Sequence, residues 1–285
     1  MFYHAPRTTG FAMLFLGALM PLEDAAATTF ARSVVAYDPG QMVTAGDPSA
    51  ALGRPGSVAG SGSQFASIIS PFNPHYEDDQ IVQFGEGGSI TLRLSHFAIT
   101  TSGTPEIGIF TNTGISDTSW PAGIAGSDLE LPGATFGIDS ALLEVSADGF
   151  NWIDLGIIRL DQPSSAFTNA TSPYQSDPAG LTPANFGMPH HNELSDYSGK
   201  DWNTIQGLLG NSGGGTWIDL DPAGLDRVGW IRLSLEDDGN ANTQLNFELD
   251  AVSVASSTVG GSIIPEPSVF TLICTLIGLL AIRHR

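Results

Sequence analysis

Apolar residues recur along the chain in short runs separated by clusters of turn formers. The runs at 33–37, 64–70, 80–84, 89–95, 106–111, 141–146, 150–155, 216–220, 228–235 and 245–254 alternate or are rich in β-branched side chains. Before the C-terminal segment, no stretch sustains an apolar i, i+3, i+4, i+7 stripe long enough to mark a helix. Many short strands between turn signals predict an all-β antiparallel sandwich or barrel.

One hairpin stands out. Leu142-Leu143-Glu144-Val145 leads into Ala147-Asp148-Gly149, and Phe150-Asn151-Trp152-Ile153-Asp154-Leu155 leads out. Asp-Gly supplies the positive φ that a tight reversal needs. Large side chains fall on both faces of the outgoing strand, which places it in a sandwich centre. Residues 161–215 differ: Pro163, Pro173, Pro178, Pro183 and Pro189 interrupt them, and Gly213-Gly214-Gly215 closes the span. A structureless loop of that length is improbable in a compact domain, so it should pack over one end of the sandwich, with a short helical turn near 192–197.

The last run changes phase. Leu245, Phe247 and Leu249 alternate one way, Val252 and Val254 the other. Either a bulge near Asp250-Ala251 shifts the register, or Glu248 and Asp250 point where apolar residues belong. An inward Asp250 needs a partner, an arginine or a calcium ion, because a lone buried carboxylate is too costly to keep ionised.

Charge narrows the function. Thirty acids against ten Lys and Arg give a net charge of −20. Such a surface repels polyanions and argues against nucleic-acid binding. The single cysteine, Cys274, rules out a disulfide framework and Cys-cluster metal sites. Arg32, Arg54, Arg93, Arg159, Lys200, Arg227 and Arg232 face 27 acids between the ends, which keeps the domain soluble and attracts divalent cations.

The ends read as addresses. Residues 1–27 have a short polar start with His4 and Arg7, the apolar run 11–20, and Ala25-Ala26-Ala27 with small residues at the −3 and −1 positions of a cleavage site. Cleavage at Ala25 and Ala27 would start the mature chain near Thr28. At the other end Pro265-Glu266-Pro267 precedes an uncharged run, 269–282, and the basic tip Arg283-His284-Arg285. A helix of that run covers about 21 Å, short of a hydrocarbon core about 30 Å thick, which suits a transient stop better than a permanent anchor. The basic tip stays cytoplasmic.

Tripeptide, run and tip together resemble a PEP-CTERM sorting signal carried by Pro265, Glu266, Pro267, Arg283 and Arg285. The resemblance implies export machinery and an exosortase as partners, and a cell-surface or extracellular-matrix destination with membrane contact only through the tail. The expected organisation is a signal peptide with an N-terminal helix (1–27), one β-sandwich domain (28–258) with the long excursion 161–215, a linker (259–264) and the sorting signal (265–285) with its hydrophobic helix (269–282).

A second resemblance covers roughly 34–254. Ala51-Leu52-Gly53-Arg54-Pro55, Gly87-Gly88-Ser89-Ile90-Thr91-Leu92 and Ile107-Gly108-Ile109-Phe110-Thr111-Asn112 occur in that order. Leu143-Glu144-Val145-Ser146-Ala147-Asp148-Gly149, Ala179-Gly180-Leu181, Gly224-Leu225-Asp226-Arg227-Val228 and Phe247-Glu248-Leu249-Asp250-Ala251-Val252 come next. The series is similar to bacterial surface proteins related to galactose-binding-like (discoidin-like) jelly-roll β-sandwiches. Thr111 departs from the family, which has an acid before the asparagine. The resemblance implies a structural calcium where the first and last strands meet, with Asp38, Asp47 and Asp250 as its ligands.

Other chemistry is sparse. Glu77-Asp78-Asp79, Asp219-Leu220-Asp221 and Glu236-Asp237-Asp238-Gly239-Asn240 are acidic loops without EF-hand spacing. His190-His191 with Glu193 and Asp196 is a weak zinc pattern, since adjacent histidines rarely share an ion. No phosphate loop or His-Glu-x-x-His is present, and no enzyme is expected. Loop aromatics Tyr76, Trp120, Tyr174, Tyr197 and Trp202 offer faces for sugar rings, Trp120 and Trp202 foremost, which makes exopolysaccharide a candidate partner. Trp152, Trp217 and Trp230 lie in predicted strands.

Overall fold

The structure, a computed structural model, describes residues 29–41, 46–59, 66–77, 79–237 and 246–263. The expected cleavage site at Ala25 and Ala27 and the expected tail with Pro265, Glu266, Pro267, Arg283 and Arg285 lie outside these residues, as do both expected terminal helices. Among the described residues, no helix is long and apolar enough to cross a membrane.

Most of the predicted runs are strands. In chain order they are β1 (Ala31–Asp38), β2 (Val82–Gly85), β3 (Ser89–Ile99), β4 (Ile107–Thr111), β5 (Gly114–Ile115) and β6 (Thr135–Phe136). Then come β7 (Asp139–Ser146), β8 (Ile153–Leu160), β9 (Thr216–Ile218), β10 (Arg227–Ser234), β11 (Asn246–Val254) and β12 (Val259–Ser262). One sheet has the order β1-β3-β10-β7-β8, with β12 on the far end of β3; the other runs β2-β11-β4-β9, and β5 pairs with β6. All these pairings are antiparallel.

The two larger sheets meet over one apolar cluster. Ile90, Leu92 and Leu94 of β3, Leu143 and Val145 of β7, and Ile231 and Leu233 of β10 pack with Val82, Phe84, Ile107, Ile109, Phe247 and Leu249 of the other sheet. The period-2 alternation puts each set on one face. Phe84 and Phe247 stack across β2 and β11 with ring centroids 4.8 Å apart. Fully burying one such side chain contributes about 1.5–3 kcal/mol.

Residues 161–215 build a second core with Ala59, residues 68–72 and residues 115–134. Ile68, Ile69, Phe72, Ile115, Leu129, Phe167, Leu194, Tyr197, Trp202, Ile205 and Leu209 are buried together. The expected helical turn is the 3₁₀ turn Leu194–Tyr197, and a helix α1 (Trp202–Leu209) comes after it. Asp201 caps α1, its side chain accepting from Thr204 N at 2.8 Å, and Gly210 ends it at positive φ. Trp202, Ile205 and Leu209 form its buried stripe.

Three expectations need correction. The run 150–155 begins too early. Asp148 Oδ1 accepts from the backbone N–H of Phe150 and Asn151, each at 2.8 Å, which keeps Phe150 in the turn at 87 % exposure. β8 is therefore the edge of its sheet, not its centre, and Ile157 faces solvent. Within 64–70, the described residues make only isolated bridges, because Ile68 and Ile69 both face the second core. The expected linker supplies β12, whose Val259 pairs with Ala98.

Candidate functional site

Each predicted side chain ends in a different place. Asp38 is exposed and accepts from Gly40 N at 3.0 Å. Asp47 is exposed and caps the 3₁₀ turn Pro48–Ala51, accepting from Ser49 N at 2.9 Å; these bonds hold its carboxyl below the ordinary range. Asp250 is buried. Among the described residues, no group of three or more His, Cys, Asp or Glu side chains gathers in a way that would hold a metal ion. Asp38, Asp47 and Asp250 are not brought together in such a group.

Asp250 combines the two alternatives read from the phase change. The register of β11 on β4 slips between Leu249 and Ala251, and the bulged Asp250 turns inward at 3 % exposure. Its contact partner is a histidine, and the expected arginine takes part through the charge of Arg54. His75 Nε2 lies 3.4 Å from Asp250 Oδ2, close enough to attract but without hydrogen-bond alignment. Gly56 N donates to Oδ1 at 3.5 Å. Burial pushes the Asp250 carboxyl up, while His75, the Gly56 bond and Arg54 oppose the rise. Gly56 is required here, since a Cβ would stand 2.7 Å from His75 Nε2. Arg54 lies over the Phe186 ring at 4.7 Å and donates to Ser57 Oγ at 2.8 Å. With His75 wholly buried, no substrate reaches the pair. It clamps residues 54–57 and 75 onto β11.

A second carboxyl pair joins the sheets. Glu248 N on β11 donates to Asp139 Oδ2 on β7 at 2.9 Å. Gln83 donates to Glu248 Oε1 at 3.0 Å and Asn112 Nδ2 donates to Oε2. Burial, with the neighbouring Glu248, pushes the Asp139 carboxyl up to about 7.

His190 offers no ligand atom to zinc. Its Nε2 bonds Gly215 O at 2.9 Å and its Nδ1 accepts from Asn192 N at 3.2 Å, so both ring nitrogens are committed and the ring is neutral. Burial also lowers its pKa.

The two leading tryptophans separate. Trp202 is 3 % exposed; its Nε1 donates to Ala170 O at 3.0 Å and its ring fills the second core, so it presents no face to a sugar. Tyr197 is likewise buried. Trp120 is 63 % exposed. Its loop is organised by Asp117, whose Oδ1 accepts from Ser119 N and Ile124 N and whose Oδ2 accepts from Gly123 N, each at 2.9 Å. Gly123 has positive φ, and a Cβ there would stand 2.7 Å from Pro173.

Trp120 belongs to a strip. Its ring centroid is 6.3 Å from that of Tyr174, whose hydroxyl donates to Asp117 Oδ2 at 3.2 Å. Tyr76, also exposed, stacks on Phe136 with ring centroids 6.4 Å apart. Burial pushes the Tyr76 phenol up to about 12, so it stays a neutral donor. Phe136 was not among the sequence candidates; the two-residue strand β6 gives no alternation to mark it. The exposed rings of Trp120 and Tyr76 and the half-buried rings of Tyr174 and Phe136, beside fixed hydroxyl and carboxylate groups, suit the apolar faces and hydroxyls of a sugar chain. No protein-family model matches the chain, and no curated protein matches it.

Proposed function

We propose that this chain is an exported, non-enzymatic surface protein that holds extracellular polysaccharide on the Tyr76–Phe136–Tyr174–Trp120 strip. The observation that carries the binding role is Trp120, a large ring left 63 % exposed on a loop that Asp117 fixes with three backbone bonds. Exposing a tryptophan forgoes burial energy, and ordering its loop costs entropy, so a rigid exposed ring serves contact better than stability.

The address comes from the sequence. Pro265-Glu266-Pro267, the apolar run and the basic tip resemble a PEP-CTERM signal, which implies processing by an exosortase and delivery to the cell surface or matrix. We also propose the galactose-binding-like jelly roll as the fold type, supported by two antiparallel sheets closed over one core. Display alone, without a glycan partner, is the second reading; the high acidic charge favours it as a solubility device.

Affinity electrophoresis of the full chain through polysaccharides, including the producer's own, tests the strip. The wild type should be retarded, and Trp120→Ala should migrate freely with an unchanged melting temperature. Equal retardation of the two proteins would reject the strip; no retardation of either would leave display.

A further inference from the structure

Charge is not spread evenly over the chain. Between the ends there are 27 acids against seven Lys and Arg. Yet β1, β3, β10 and β12 carry Arg32, Arg93, Arg227 and Arg232, and their one acid is Asp38 at the end of β1. These strands adjoin in one sheet, so more than half of the bases gather where acids are nearly absent. We propose that the outer face of β1, β3 and β10 binds a polysaccharide bearing carboxylates, with Arg93 holding a carboxylate and Trp230 its sugar ring.

Arg93 is the centre of that face. Leu92 and Leu94 enter the core between the sheets, so the alternation of β3 turns Arg93 outward. Ser33 of β1 and Trp230 of β10 stand directly opposite it. The side chain is half-buried, and among the described residues it makes no hydrogen bond and no ion pair. Only its Nε is closed off from solvent, which leaves the outer nitrogens of the fork to a ligand. In so acidic a chain, a partly desolvated guanidinium without a carboxylate beside it forgoes a pairing that stability alone would favour.

The rings beside Arg93 are fixed. Ile231 enters the core and Trp230 turns outward. Phe97 meets Trp230 edge-on at 6.3 Å, and a Cβ at Gly149 would stand 3.2 Å from the indole Nε1. Arg227, exposed, lies over Phe97 at 4.3 Å. Arg232 donates to Glu144 at 3.0 Å, so its charge is already matched, whereas Arg32, Arg93 and Arg227 have no ion pair among the described residues. Side chains opposite each other on paired strands stand about 5 Å apart, so one pyranose can lie on the indole and still turn its carboxylate to the guanidinium. A uronate unit carries both features on one ring; an acidic peptide brings the carboxylate without a ring face for Trp230. The net charge of −20 does not forbid this contact. At physiological salt, exposed charges beyond about 8 Å are largely screened, and acids on other faces act weakly at Arg93.

Calorimetric titration of the full chain with a galacturonate oligomer and with its methyl ester tests this, in chelator so that no divalent cation bridges the oligomer to the protein's acids. The free acid should bind about tenfold more tightly than the ester, as one charge-assisted bond predicts. Arg93→Gln should abolish that preference while the melting temperature holds or rises. Arg93→Lys should recover part of it, since a point charge replaces the fork. Arg227→Gln, at an exposed position, should reduce the preference about twofold even where Arg93→Gln fails to fold. Trp120→Ala should leave the titration unchanged, because this face shares no residue with the strip, and each reading therefore fails separately. Absent binding of the free acid, an ester bound as tightly, a glutamate oligomer bound as tightly as the galacturonate, or a preference untouched by every arginine variant that folds would overturn the proposal.

Discussion

The molecule buries two apolar cores by opposite means. Between the sheets, the backbone polar groups are satisfied in ladders, so the side chains are free to be apolar and the alternation of each strand is plain. In the second core the backbone is irregular, and its groups are paired singly: Ile68 N with Gln175 O, Ala166 N with Ile69 O, Ala125 N with Lys200 O, each within 2.9–3.0 Å. Polar side chains complete the account, as Ser70 Oγ does on Pro173 O at 2.9 Å and Asn73 Nδ2 on Ile68 O at 3.0 Å. Unpaired groups buried in an apolar setting are costly, so a core made of loops must specify its polar contacts one at a time. The difference also sorts function. The facing sides of the sheets are committed to packing, and the outer side of β4 is closed as well, where Phe110 meets Phe186 edge-on at 5.1 Å. The loop core has a surface to spare, and it carries the Trp120 strip.

The largest effects should come from emptying either core. Phe247→Ala and Trp202→Ala should each cost about 3–5 kcal/mol by chemical denaturation, from lost burial and the cavity left behind. Hydrogen exchange separates the two. Phe247→Ala should raise exchange throughout the molecule. Trp202→Ala should open α1 and residues 161–215 first, with the β3–β10 amides still protected, if the loop core is a unit of lower stability. Equal loss of protection in both regions would show one cooperative core and break the distinction.

How much of each core the sequence revealed depends on the same contrast. Strands such as 228–235 were legible because alternation is enforced by the pleat. Helix α1 was not, because eight residues give only a three-point stripe, although Asp201 and Gly210 mark its caps. Trp120 and Trp202 read alike, each flanked by small or polar residues; only the helix and Ala170 O decide that one is interior. Asp250 announced itself through the phase change of β11, but His75 did not, since its place against the bulge is set by a loop more than 170 residues away in sequence. Gln162, whose Oε1 is buried without a hydrogen-bond partner among the described residues, carries no signal at all, since such an acceptor exists only once its neighbours are placed.

A smaller effect belongs to the sandwich alone. Asp139 is held by Glu248 N between two sheets, and burial lifts its carboxyl to about 7, against about 3.9 unfolded. Between those values the folded chain keeps a proton that the unfolded chain releases. Its contribution is therefore full below pH 4 and is lost as pH rises through 7. After allowing for solvent at this half-buried group, the loss is roughly 2 kcal/mol. Glu248 is also raised, chiefly by burial, and acts in the same direction. Asp139→Asn keeps the acceptor for Glu248 N and should flatten the decline in denaturation midpoints from pH 4 to 7. An unchanged slope would place the proton elsewhere.

The smallest change in stability should accompany a large change in binding, and it falls on the loop core. Asp117 accepts from Ser119, Gly123 and Ile124 and from the Tyr174 hydroxyl, so one carboxylate both shapes the loop and sets the second ring of the strip. The freed N–H groups of Asp117→Ala lie near the surface and find water, which limits the cost to about 1 kcal/mol. Trp120 and Tyr174 would then lose their fixed relation, and a flexible platform must be ordered again each time it binds. Retardation by polysaccharide should fall nearly as far as in Trp120→Ala, with faster exchange confined to residues 117–125. Asp117→Asn retains one acceptor oxygen and should recover part of the binding. Retention equal to wild type in Asp117→Ala, despite that local loosening, would mean the ring alone suffices and the loop core contributes no rigidity to the contact.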